Sequence, residues 1–176
     1  MSGVTLGAEL NNGFIGNYAR QPDMIIGSAP NTSGSDIEVG TVLVWDSINN
    51  GVKPFAASNT AADIVGVACK EVKSNWNFGQ QSMNDGLVFK PKEAVPYFQR
   101  GSINVLCANG TAARGGAVNI AITTSAFSGA VVGQLFAGSG TGTLNTDYLA
   151  VPNCQWGGAK DVNGTCEVVF LTRANA

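Results

Sequence analysis

The sequence predicts an all-β fold, a β-sandwich or jelly-roll-like domain preceded by an extended N-terminal arm. Three observations support this prediction. Short runs rich in β-branched residues alternate apolar and polar positions, which is typical of half-buried strands. No long stretch repeats apolar residues with the helical period, so we expect helix in a turn or two at most. Asn-Gly steps, which suit tight turns because both residues accept positive φ, occur at Asn12, Asn50, Asn109 and Asn163.

The predicted strands follow one another at regular spacing, separated by turn residues. The first two flank Asn50-Gly51 and form a predicted tight hairpin. In chain order the runs are Thr41–Trp45, Val52–Ala56, Ile64–Val72, Leu87–Phe89, Ser102–Cys107, Ala117–Ile122, Val131–Ala137, Tyr148–Val151 and Cys166–Thr172. About eight to ten short strands in this arrangement are typical of a sandwich, jelly roll or barrel.

Alternation also assigns faces to these strands. In the third run it places Val65, Val67 and Cys69 on one face. The positions that it assigns to the core are Ile103, Val105, Val118, Ile120, Val168 and Phe170.

The first 35 residues differ from the rest and are interpreted as an arm and linker, residues 1–35, ahead of the domain at residues 36–176. The segment is apolar without clear periodicity, and its glycines and Pro22 disfavour a helix. The polar stretch Asn31–Ser35 is the predicted linker. Such an arm docks either on its own domain or on a neighbouring subunit. Its candidate interface residues are Phe14, Ile15, Tyr18, Arg20, Met24, Ile25 and Ile26.

The composition points to a protein that covers its surface with partners. Charged residues make up 12% of the chain, against about 25% in a typical soluble domain. A small secreted domain with a Thr/Ser/Asn-rich surface is the alternative. The ten basic residues are scattered, which disfavours nucleic-acid binding, and no apolar run is long enough to span a membrane. Residues 1–20 lack the features of a signal peptide, so synthesis in the cytoplasm is expected.

Catalytic and metal chemistry finds little support in the residue types present. The chain has no histidine, which excludes Ser-His-Asp and Cys-His nucleophile systems, and its acidic residues are dispersed. Its four cysteines include no close pair, so buried reduced thiols are expected rather than zinc ligands or disulfides. The stretch Gly138–Gly142 has no following lysine or helix and is interpreted as a connection between strands. We therefore expect no enzyme activity, no cofactor and no bound metal.

The aromatic residues leave alternatives open. Trp76 and Phe78 lie in a polar loop, where they are either interface anchors or caps that fold back onto the core. Trp156 has the same two interpretations. Trp45 lies within a predicted strand and is expected in the core.

The order of these elements resembles the structural cement, or capsid decoration, proteins of tailed bacteriophages. The resemblance covers roughly residues 13–172, and its order and spacing rather than any single motif carry it. The segments concerned are Gly13–Arg20, Ile25–Ser28, Ile37–Val44, Ile64–Ala68, Lys70–Val72, Arg100–Val105 and Gly115–Val118.

This resemblance implies a non-enzymatic virion protein on the outer surface of the phage capsid. Its implied partners are the major capsid protein and further copies of itself, as a homodimer or homotrimer. Bridging of neighbouring capsid subunits would stabilise the shell by mass action. The alternative function is a carbohydrate-binding or adhesin-type β module, such as a head fibre or receptor-binding protein, with Trp76 or Trp156 as the sugar platform.

Overall fold

The computed structural model describes residues 15–70 and 88–171, and within these ranges the chain is built from β-strands. The only helical element there is a 3₁₀ turn at Ala61–Asp63, so the predicted all-β class is confirmed. The strands are β1 Tyr18–Pro30, β2 Ile37–Glu38, β3 Val42–Asp46, β4 Gly51–Pro54, β5 Ile64–Ala68, β6 Val88–Phe89, β7 Ala94–Leu106, β8 Ala117–Ala121, β9 Leu135–Ala137, β10 Tyr148–Trp156 and β11 Thr165–Phe170.

Nine of these strands form one curled sheet. Its order is β4-β3-β5-β7-β11-β10-β8-β9, with β1 paired to β7 beside this path. The pairs along this path are antiparallel, and β2 and β6 form a separate small ribbon. Antiparallel hairpins need only short connections, which agrees with the many turn residues in the sequence.

The long strand β7 is the centre of the sheet because it pairs with three others. Its first half pairs with β5, its second half pairs with β11, and β1 runs along almost its whole length. Gly101 lies between the two halves and has φ +103°, a conformation that favours glycine. β7 therefore ties the N-terminal, central and C-terminal parts of the chain into one unit.

Two apolar clusters lie on opposite faces of the sheet around β3, β5 and β7. Successive residues of these strands alternate between them: Val67 and Phe98 belong to the main cluster, whereas the neighbouring Ala68 and Tyr97 belong to the second. A third cluster packs Phe127, Phe136 and Tyr148 around β8 and β9. The sheet is therefore covered on both faces in its centre, which is typical of a sandwich-like body.

Five of the six residues that alternation assigns to the core are buried. Ile103, Val105, Val118, Ile120 and Val168 are buried in the main cluster, as predicted. The sixth, Phe170, is only half-buried and packs against that cluster from the margin.

Two predictions about faces were wrong. Val65 packs against the second cluster rather than beside Val67, because Leu43 pairs with Gly66 and Val44 pairs with Ile64, which leaves Val65 as the extra residue of a bulge. Trp45 is 42% exposed rather than in the core. It lies opposite Val52, which is in the second cluster, and so projects from the margin of that face.

The β3–β4 connection is a hairpin, as predicted, but its turn differs from a two-residue Asn-Gly turn. Asn50 has φ +53°, whereas Gly51 already pairs with Asp46 as the first residue of β4, so the loop spans residues 47–50. The Asn109-Gly110 and Asn163-Gly164 steps form turns with positive φ at the glycine. Residues 138–142 connect β9 to β10, in agreement with their interpretation as a strand connection.

The segment interpreted as an arm contains a strand of the body. Residues 18–30 pair with β7 of the same chain. The predicted linker Asn31–Ser35 is also built in, because Asn31 is buried and its side-chain amide donates hydrogen bonds to the backbone oxygens of Ser35 and Phe89. The sheet therefore begins at Tyr18 rather than after residue 35.

Residues 15–70 and 88–171 contain no helix with the length and apolar character needed to cross a membrane.

Candidate functional site

The predicted interface residues fall into three groups. Phe14, Trp76 and Phe78 lie outside the described residues, and Arg20 is placed only by its backbone pairing with Ser102. Ile15 is half-buried against its own chain: it lies over Gly40, and the adjacent Gly16 donates a hydrogen bond to the Asn104 oxygen at 2.8 Å. The remaining four, Tyr18, Met24, Ile25 and Ile26, lie on β1.

Tyr18 and Ile26 of β1 lie at Phe98 of β7, and a third β1 residue packs against the same cluster. The Tyr18 ring stacks on the Phe98 ring with centroids 5.9 Å apart and planes inclined by 28°. Ile26 lies directly opposite Phe98 in the ladder, and Met24 packs against the main cluster to which Phe98 belongs. Phe170 adds a tilted ring contact to Phe98 at 6.5 Å. We call Tyr18, Met24, Ile26, Phe98 and Phe170 the Phe98 patch.

The Phe98 patch is partly open to solvent. Phe98 itself is fully buried, whereas Tyr18 is 36% and Ile26 is 38% exposed, and Ile25 beside them is 49% exposed. Exposed side chains of this size that border one another are typical of protein interaction sites. The patch can therefore bury further apolar surface against a partner.

A bulge in β1 creates this arrangement. Arg20 pairs with Ser102 and Ile25 pairs with Arg100, so residues 21–24 lie opposite Gly101 alone. A bulge of this kind bends a strand and redirects its side chains. It brings Met24 onto the main cluster and leaves Tyr18 and Ile26 on either side of the bend. Sequence reasoning found these residues from their apolar character, but the irregular pairing hides the period that would have shown their strand.

The β3–β4 hairpin carries a second exposed apolar surface that sequence reasoning missed. Trp45 at the end of β3 is 42% exposed, and Ile48 in the loop is 90% exposed. We call residues 45–50 the hairpin tip. The available signal was the isoleucine in a turn otherwise made of aspartate, serine and asparagine, a position where polar residues are usual.

Asp46 fixes the conformation of the hairpin tip. Its carboxylate accepts hydrogen bonds from the Asn49 amide at 2.8 Å, the Thr32 hydroxyl at 3.0 Å and the Ile48 backbone N–H at 3.3 Å. The Asn49 hydrogen bond is the main cause that lowers the pKa of Asp46. Because Thr32 follows β1, the same carboxylate joins the hairpin tip to the N-terminal strand.

Burial keeps three of the four cysteine thiols in their protonated form. Burial raises the pKa of Cys154 to about 12 and that of Cys166 to about 11, and it also raises the pKa of Cys107. A thiol in its protonated form is a poor nucleophile and a poor metal ligand. Among the described residues, no three His, Cys, Asp or Glu side chains group at positions that would hold a metal ion.

Trp156 is fully buried in the main cluster, so of its two interpretations the structure supports the core one. It does not offer a ring face on the surface for a sugar. The carbohydrate-binding alternative therefore loses one of its two platform residues, and the other, Trp76, lies outside the described residues.

Comparisons with known proteins give one family match and one similar fold. The family model described as "Structural cement protein (E217 gp24/Pam3 gp6)" matches residues 4–171. A chain from the solved structure "The capsid of Myoviridae Phage XM1" is similar in fold, with a TM-score of 0.62, 17% sequence identity and 94% of each chain covered. Among curated proteins, no sequence matches at a significant level.

Proposed function

The chain belongs to the structural cement protein family, and from this premise we propose that it binds the outer surface of a phage head and bridges neighbouring major capsid protein subunits. Its structural role in a phage capsid rests on the family match over residues 4–171, which is the observation that carries the proposal. A non-enzymatic role accords with the family. The bridging, the outer surface and self-association as a homodimer or homotrimer are the parts that require a test.

The Phe98 patch is the surface that we assign to this contact. Full burial of a large apolar side chain is worth about 1.5–3 kcal/mol. Tyr18 and Ile26 still expose over a third of their surface, so covering either one would contribute about 0.5–1 kcal/mol per copy. A contribution of this size is modest for one copy, but copies that each bind more than one subunit of a shell gain additional strength from avidity.

The body behind the patch is suited to transmit force between subunits. Phe98 lies in β7, which is hydrogen-bonded to β1, β5 and β11, so the patch stands on the most connected strand of the sheet. A partner bound at Tyr18 and Ile26 is therefore held by a rigid element rather than by a loop. Rigid presentation lowers the entropic cost of binding.

The experiment measures binding to heads prepared without this protein. We expect wild-type protein to saturate such heads, and Tyr18→Ser and Ile26→Ser to raise the half-saturating concentration roughly two- to fivefold. The control is Val162→Ser, because Val162 is 83% exposed and lies in the β10–β11 loop, away from β1. Melting curves of each variant separate lost binding from lost folding.

Two outcomes would contradict the proposal. Wild-type protein that does not bind heads would remove the capsid-binding function itself. If wild-type protein binds heads but both patch variants have the same half-saturating concentration as Val162→Ser, the Phe98 patch is not the binding surface.

A further inference from the structure

Besides the Phe98 patch, the hairpin tip exposes large apolar side chains, and it does so from a different side of the sheet. In β3, Val44 belongs to the main cluster, whereas Leu43 belongs to the second. Trp45 lies directly opposite Val52, which is also in the second cluster, so Trp45 projects from that face. The Phe98 patch surrounds a residue of the main cluster. The two exposed apolar surfaces therefore belong to opposite faces of the same sheet.

Given the proposed function, on which this inference rests, we propose that the hairpin tip docks into an apolar pocket on a second capsid subunit while the Phe98 patch binds the first. One apolar surface suffices to attach a protein to a shell, but bridging requires two that do not compete for the same partner. Surfaces on opposite faces meet this requirement, because a subunit covering one face leaves the other free.

The shape of the hairpin tip indicates the chemistry of its partner site. Ile48 is 90% exposed in a four-residue loop, so it protrudes as a single branched aliphatic side chain. Trp45 is only 42% exposed and presents part of its indole at the margin of the sheet. A protruding aliphatic group beside an aromatic edge fits a concave apolar pocket better than a flat polar surface.

The hairpin tip is also held in one conformation before it binds. Asp46 is buried and accepts hydrogen bonds from the Ile48 backbone and the Asn49 side chain within the loop, and from Thr32 outside it. Little conformational entropy remains to be lost on docking, which strengthens binding for a given contact area. The fixed conformation adds support to the proposal. Its main basis is the exposure of Trp45 and Ile48 on the face of the sheet opposite to the Phe98 patch.

The test compares binding to assembled heads with binding to monomers of the major capsid protein dissociated from the same heads. A protein that holds two subunits at once gains effective concentration only where two subunits are fixed side by side. We expect wild-type protein to bind assembled heads about a hundredfold more tightly than these monomers. Ile48→Ser and Trp45→Thr should reduce this ratio to near one and leave monomer binding through the Phe98 patch unchanged. Val162→Ser should retain the full ratio.

The outcomes separate this inference from the function on which it rests. Absence of wild-type binding to heads would overturn the proposed function. If wild-type protein binds heads and Ile48→Ser keeps the full ratio between head affinity and affinity for dissociated capsid protein, only the second surface is overturned. If Ile48→Ser instead abolishes self-association in light scattering while the ratio is retained, the hairpin tip is an interface between copies of this chain and the proposal is overturned. Trp45→Thr with an unchanged melting temperature shows that any loss arises at the surface.

Discussion

Replacing Ile103 by alanine tests whether β7 is the energetic centre of the fold. Ile103 is fully buried and lies between two paired strands, opposite Tyr18 of β1 and Val168 of β11. The change removes three carbon atoms, worth about 2.4 kcal/mol at 0.8 kcal/mol per buried methylene. Because hydrogen-bonded neighbours on both sides keep the site from collapsing, a cavity term raises the expected loss to about 3–4 kcal/mol.

Urea unfolding followed by tryptophan fluorescence gives the free energy directly, since Trp156 is fully buried and reports on the main cluster. A loss of 3–4 kcal/mol corresponds to a fall in melting temperature of roughly 6–16 °C for a domain of this size. The matched control is Ile48→Ala, the same chemical change at a side chain that is 90% exposed. It should cost less than about 0.5 kcal/mol. Equal losses at the two positions would refute the assignment of the core.

Three further changes test the turns, the thiols and the N-terminal strand. Gly110→Ala should destabilise the fold by more than the roughly 1–2 kcal/mol of left-handed strain alone, because the new Cβ would collide with the Ala137 backbone oxygen. The control is Gly129→Ala, where φ is also positive but no atom lies close to the new Cβ. Denaturant unfolding should show a smaller loss of stability for this control. Stability should fall as pH rises above about 9, because the unfolded Cys154 thiol loses its proton near its ordinary pKa of 9.0 whereas the folded one keeps it up to about 12. In pH-dependent melts Cys154→Ala should show a shallower fall, and an identical slope would contradict the burial of this thiol. Deleting residues 1–28 removes most of β1 and should lower the melting temperature of the isolated protein, whereas an unchanged value would mean that β1 is not part of the body.

The strand pattern could be predicted because the apolar or polar character of each residue indicates which face of its strand it occupies. Ile103 and Val105 alternate with Ser102 and Asn104, and the structure buries Ile103 and Val105 in the main cluster. Phe170 follows the same alternation but lies where β11 ends, so only part of its ring is covered. Alternation assigns a face to a residue, but it does not state how far the opposing layer extends over that face.

The same limit explains why Trp45 was misplaced. It shares a face with Leu43, and that face is covered by residues distant in sequence, including Ile37 and Phe89 of the β2–β6 ribbon. The cover ends before Trp45, a fact that depends on tertiary packing and leaves no local trace in the sequence. An apolar strand residue is therefore ambiguous between core and interface until the opposing layer is known.

The N-terminal segment shows how an irregular strand escapes sequence reasoning. Between Arg20 and Ile25 the ladder to β7 is interrupted, so the residues on either side follow no common period of two. An apolar stretch without a period of two predicts an arm, although residues 18–30 form a strand of the sheet. The prediction that Tyr18, Met24 and Ile26 serve an interface stays a prediction. The bulge supplies its physical basis, because Tyr18 and Ile26 lie at Phe98 on either side of it and Met24 packs against the main cluster.

The low charge of the chain can be explained by the same surfaces. With 12% charged residues, the protein has few means to keep apolar surface solvated, yet it exposes large apolar side chains on both faces of one sheet. In a protein that remains free in solution, such exposure favours uncontrolled association. In a protein whose two faces are covered by capsid subunits, the same residues supply the binding energy. Added charge at the hairpin tip, such as Ile48→Lys, should therefore improve the solubility of the isolated protein while lowering its occupancy on heads. Improved solubility with full occupancy would show that Ile48 is exposed for another reason.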